Sequence, residues 1–171
     1  LILEGNPYTE RDMNGHIFQL NCSQGGVPKL AVREAVLTPT GLVGDVQAKK
    51  KIHGGPERAL CLFPLEHILQ LQAEGHPIFP GSAGENVTVS GLDWEHLTPG
   101  TRLAVGDEAL IEISSYTTPC PTITASFVDG DYTRIAQKLH PGDSRLYARV
   151  LQTGRLAVGQ VIRILNGERA G

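Results

Sequence analysis

Runs of aliphatic and β-branched residues recur along this chain, each cut short by glycine, proline or a polar pair. The runs at 16–21, 31–37, 42–52, 86–89, 102–105, 109–116 and 161–165 read as strands. Segment 145–151 alternates cleanly, with Leu146, Ala148 and Val150 on one face and Arg145, Tyr147 and Arg149 on the other. A helix is predicted over 64–74: Pro64 suits a first helical position, and Leu65, Ile68, Leu69 and Gln72 follow helical spacing. Gly75 can end that helix. A second, short helix is predicted over 132–139, stopped by Pro141-Gly142. The pentapeptide Arg-Leu-Ala-Val-Gly occurs at 102–106 and again at 155–159, each copy leading into a further strand. Both copies read as hairpins around a glycine turn. Hairpins in series favour closure, because a closed sheet has no exposed edge. The predicted fold is mainly β, a barrel of antiparallel strands with a few short helices.

A chain of 171 residues can bury one good core, so one domain over 1–171 is expected. The 20 glycines and 11 prolines supply the turns that short strands need. A net charge of -3 argues against nucleic-acid binding, which needs a surplus of Lys and Arg. No apolar stretch is long enough for a membrane helix, and residues 1–4 do not read as a signal peptide. Residues 1–14 are polar and turn-rich, with at most partial order expected. Cys22, Cys61 and Cys120 are widely spaced and form no Cys-x-x-Cys pair, which disfavours a zinc knuckle or a disulfide framework. Free thiols point to a reducing compartment, and the cytoplasm is expected.

Three segments carry candidate chemistry. Gly41-Leu42-Val43-Gly44-Asp45 precedes Lys49-Lys50-Lys51-Ile52-His53-Gly54-Gly55-Pro56-Glu57-Arg58. If 47–53 is extended, Lys49, Lys51 and His53 share a face, and two glycines leave backbone N–H groups open to an anion. A lysine-rich solvated edge followed by an ordinary turn explains the same residues, and residue chemistry alone favours it. In Gly84-Glu85-Asn86, opening the strand at 86–89, alternation sets Glu85 with Val87 and Val89, where it would brace a loop by accepting backbone hydrogen bonds. Asn86 is the better ligand-facing candidate, since it both donates and accepts. In Thr118-Pro119-Cys120-Pro121-Thr122, two prolines impose extended backbone and hold the thiol on a stiff loop beyond a strand. A thiolate there suits a thiophilic metal or a persulfide, although cysteine is equally at home in a core. Cys61, inside Ala59-Leu60-Cys61-Leu62-Phe63, reads as core, and His16, His67, His76, His96 and His140 as surface or helix-end residues.

In their order and spacing these motifs resemble the MOSC family, named for the C-terminal domain of molybdenum cofactor sulfurases. The likeness runs from Gly41 to Leu165. It rests on Gly41 to Asp45, His53-Gly54-Gly55, Gly84-Glu85-Asn86 and Pro119-Cys120, closed by Ala148-Arg149-Val150-Leu151 and Gly159. The resemblance implies a β-rich barrel that binds a molybdopterin-type molybdenum cofactor, with Cys120 as metal ligand or sulfur carrier. The cofactor-binding candidates are Lys51, His53, Gly54, Gly55, Arg58, Asn86 and Thr122, with the phosphate near 51–58. Some members reduce N-hydroxylated substrates; others, fused to a cysteine desulfurase-like domain, help to sulfurate the cofactor. No pyridoxal-phosphate, flavin or iron–sulfur domain is legible here. The resemblance therefore implies a molybdenum-dependent oxidoreductase served by a separate electron-donor protein. The alternative is a non-enzymatic carrier bearing a Cys120 persulfide and partnered by a cysteine desulfurase. A third reading is a domain that binds an unrelated anion.

Overall fold

The computed structural model describes residues 14–46 and 54–165. Seven strands close a barrel: β1 (Gly15–Cys22), β5 (Leu60–Pro64), β6 (Val87–Ser90), β7 (Arg102–Val105), β8 (Ala109–Tyr116), β9 (Leu146–Gln152) and β11 (Val161–Leu165). They pair in the order β11-β7-β8-β9-β5-β6-β1, and β1 returns to β11 through Gly15 and His16. β2 (Leu30–Val32) extends β1 outward. β3 (Glu34–Thr38), β4 (Gly41–Leu42) and β10 (Gly154–Ala157) form a separate small sheet.

Alternation along each strand fills the barrel. Leu20, Leu62, Val89, Leu103, Ile113 and Ala148 all point into one apolar cluster. A second cluster lies outside the wall, where Phe63 of β5 meets Ile68 and Leu71 of α1 (Leu65–Ala73), with Ile123 and Phe127 beyond. β5 is thus covered on both faces and buried throughout. This explains its unbroken apolar sequence, because period-two alternation vanishes when neither face meets water.

Several expectations are corrected. Residues 60–64 form a strand, and Pro64 ends it, so the helix begins at Leu65. α1 buries Ile68 and Leu71, whereas Leu69 is 53% exposed and Gln72 is also exposed. The β5–β6 pair is parallel, unlike its neighbours, because α1 lies between the two strands and provides the crossover that parallel pairing requires. The strand expected over 42–52 ends at Leu42, where the Asp45 N–H turns back onto the Leu42 carbonyl; 47–52 lie outside the described residues. The first Arg-Leu-Ala-Val-Gly copy does form a hairpin, β7 with β8. The second does not: β10 pairs with β3 and β11 with β7, so the chain changes sheets at Gly159. Residues 132–139 hold only a 3-10 turn, Tyr132–Ile135. His67 and His76 are half-buried, the first against Phe63 and Trp94 and the second against Phe127.

Candidate functional site

Cys120 stands where β8 leaves the barrel. The Thr117 N–H donates to the Arg145 carbonyl at 3.0 Å, and the Ser144 hydroxyl donates to the Thr117 carbonyl at 3.0 Å. Pro119 is buried, Cys120 is extended (φ -137°, ψ 168°), and its carbonyl accepts from Ile123 at 3.2 Å to start the 3-10 turn Pro121–Ser126. The half-buried thiol is therefore held by backbone anchors on both sides.

The outer face of β8 and β9 supplies its neighbours. Tyr147, opposite Leu146 in the alternation, is buried beside both Cys61 and Cys120. Burial pushes the Tyr147 hydroxyl well above the usual phenol range; the two nearby thiols add to the shift, and Arg145 and Arg58 oppose it. The Arg58 guanidinium lies over the Tyr147 ring, 5.5 Å from its centroid. Arg149, next on the same face, meets Glu57 at 3.2 Å and Glu112 at 3.4 Å. The Ser114 hydroxyl donates to the Glu57 carbonyl, so the 3-10 turn Pro56–Arg58 is tied to the sheet that carries Tyr147.

The candidates read from the sequence separate into three groups. Cys120 and Arg58 converge on Tyr147. Gly55, at φ 93°, has no described atom within 4 Å of where a Cβ would stand, and Gly54 precedes it; Thr122 is exposed on the turn after Cys120. Lys51 and His53 lie outside the described residues. Asn86 is placed elsewhere. Its Oδ1 accepts from the Cys61 N–H at 3.0 Å and its Nδ2 donates to Asp45 at 2.9 Å, both in the interior. Its amide fastens chain to chain rather than facing a ligand.

Asp45 explains why the first and second motifs belong together. Its side chain is 4% exposed and meets Lys29, itself 8% exposed, at 2.5 Å. It also accepts from the Ser23 N–H at 2.9 Å. Gly81 serves the same junction: at φ 90°, with the Lys29 carbonyl 2.2 Å from where a Cβ would stand, only glycine fits.

Glu85 braces the adjoining loop, accepting from the Gly81 N–H at 2.7 Å and the Thr88 hydroxyl at 3.0 Å. Its partner in the strand is Thr88, not the face of Val87 and Val89, because regular alternation starts only at Val87. Fully buried, the carboxyl is pushed above its ordinary range by desolvation, against the opposing pull of those hydrogen bonds and Arg145. A folded value above the unfolded one means that its contribution is complete at acid pH and fades as pH rises through the folded value. Glu85→Gln keeps an acceptor for Gly81 and Thr88 but cannot ionise. Thermal melts should show the variant gaining on wild type from pH 5 to pH 8; parallel profiles would contradict this account.

Sequence reasoning missed Tyr147 and Arg149 as site residues, although their alternation opposite Leu146, Ala148 and Val150 signalled a separate face. Cys61 is 5% exposed as expected, yet it lies outside both apolar clusters, among Arg145, Glu85 and Thr117. Burial raises its thiol pKa above the usual value. Among the described residues no three His, Cys, Asp or Glu side chains converge to hold a metal ion, and no helix is long and apolar enough to cross a membrane.

Comparison with known proteins places this arrangement. Protein YiiM of Escherichia coli is 39% identical over 112 residues, covering 61% of this chain and 48% of that protein. The uncharacterized protein YflK of Bacillus subtilis is 32% identical over 147 residues, 84% of this chain and 65% of that one. A Gibberella moniliformis protein named reductase is 30% identical over 131 residues, 74% of this chain and 23% of its own length. The chain thus spans about half of YiiM and 65% of YflK. The crystal structure of Escherichia coli YiiM superposes with a TM-score of 0.68 at 25% identity, over 90% of this chain and 71% of that one. Residues 49–163, which include the Cys120 loop and the strand bearing Tyr147, match the MOSC domain, and the chain belongs to that family.

Proposed function

We propose that this chain binds a molybdopterin-type molybdenum cofactor through Cys120 and uses it to reduce N-hydroxylated compounds. The observation that carries the reading is the Cys120 thiol, held on an anchored loop within electrostatic reach of Tyr147, over whose ring Arg58 lies. The donor set fits such a group. A thiolate is the soft ligand a thiophilic metal prefers, and Arg58 and the turn at Gly55 offer a guanidinium and an unobstructed backbone to a phosphate. Membership of the MOSC family and the likeness to a protein named reductase support the same reading.

When bound, the molybdenum centre supplies the two-electron chemistry that reduces an N–O bond. Cys120 would hold the metal, and its flanking prolines would reduce the ordering needed on capture. Arg58 would hold the phosphate, and the sequence offers Lys51 and His53 as further candidates. Tyr147 stays protonated through neutral pH, so its hydroxyl can donate a hydrogen bond but adds no negative charge beside the thiolate. Electrons come from a separate donor protein in this proposal. Metal-loaded protein with dithionite-reduced methyl viologen should convert an aryl amidoxime to the amidine. Absence of turnover in protein shown to contain molybdenum would overturn the reductase assignment.

A further inference from the structure

A cleft of about 340 Å³ opens beside Leu146 at the start of β9, on the face of that strand opposite to Tyr147. The register fixes this separation. Tyr116 stands directly opposite Leu146, and both line the cleft, whereas Tyr147 alternates to the outer face. The floor continues the barrel core through Trp94, Leu97 and Leu146. Trp94 is fixed there by its indole N–H, which donates to the Ser144 carbonyl at 3.2 Å. The wall from the 137–144 segment is fixed as well, since the Gln137 amide oxygen accepts from the Gly142 N–H at 3.1 Å. Among the described residues Glu95 is the only charged side chain in the lining.

We infer that this cleft is a second binding site, which takes a small organic cation with an apolar body. Its volume falls within the range of small-molecule pockets, at the lower end. Tyr116, 37% exposed, offers a flat body a ring face, while the nearly buried Trp94, Leu97 and Leu146 close the cleft below. The carboxylate of Glu95, with no cation among the described lining residues to offset it, selects a positive head group, and an anion would meet repulsion. The inference is independent of the cofactor proposal.

The protein has one tryptophan, so its fluorescence reports on this cleft directly. Wild type is titrated with 2-phenylethylammonium, neutral 2-phenylethanol and anionic 3-phenylpropanoate. The cation should give a saturable change, at an affinity roughly two- to fivefold above the alcohol, the advantage an exposed charge pair supplies. The anion should bind more weakly than either. Glu95→Gln should remove the advantage of the cation and leave the alcohol unchanged, and Tyr116→Ala should weaken both. No saturable response would overturn the site, as would binding unaltered by Tyr116→Ala in protein shown to be folded. Equal affinities for cation and alcohol, or a preference untouched by Glu95→Gln, would overturn the ligand class.

Discussion

Cys120→Ser is expected to strip the protein of molybdenum and of amidoxime reduction while leaving the barrel folded. The fold side of that expectation follows from placement. Cys120 is half-buried, belongs to neither apolar cluster, and is held by backbone bonds that serine preserves. The functional side follows from ligand chemistry: a hydroxyl is a harder and far weaker donor than a thiolate for a thiophilic metal. Loss of a group that merely supports a metal ligand already costs about 10–100-fold, so loss of the ligand itself should exceed that range. Metal content, turnover and a thermal melt on the same preparation check it together. A folded variant with wild-type metal content would place the ligand elsewhere.

The second large effect concerns Asp45. Asp45→Ala removes the buried partner of Lys29, one acceptor of the Ser23 N–H and the anchor of the Asn86 amide. Breaking one half of a buried ion pair costs about 3–5 kcal/mol, because the surviving charge stays in the interior without compensation. Denaturant unfolding should show that loss. Replacing both partners by apolar residues, Lys29→Met with Asp45→Leu, should recover part of it, since no buried charge then remains. A single-variant cost under about 1 kcal/mol would show that Lys29 reaches water.

How much of this was legible in the sequence depends on the range over which each feature is determined. The β7–β8 hairpin is local, joined through Gly106, and it reads directly from the sequence. The stiffness of the Cys120 loop is likewise written in its two prolines. β5 escaped because both its faces are covered, which erases the alternation that marks a strand. The second Arg-Leu-Ala-Val-Gly copy misled because identical local residues take their partners from distant strands, β3 and β7. Asn86 looked ligand-facing because no local rule reveals that Asp45, 41 residues earlier, folds onto it. The meeting of Arg58, Cys120 and Tyr147 depends on the same long-range pairing, through β8 and β9.

Metal analysis of wild-type protein purified from a cofactor-producing host decides whether Cys120 holds a molybdenum cofactor. Stoichiometric molybdenum is expected, together with the pterin released on denaturation. Labile sulfur on Cys120 without metal would contradict it in favour of a sulfur carrier, and folded protein with neither would return the site to an unrelated anion.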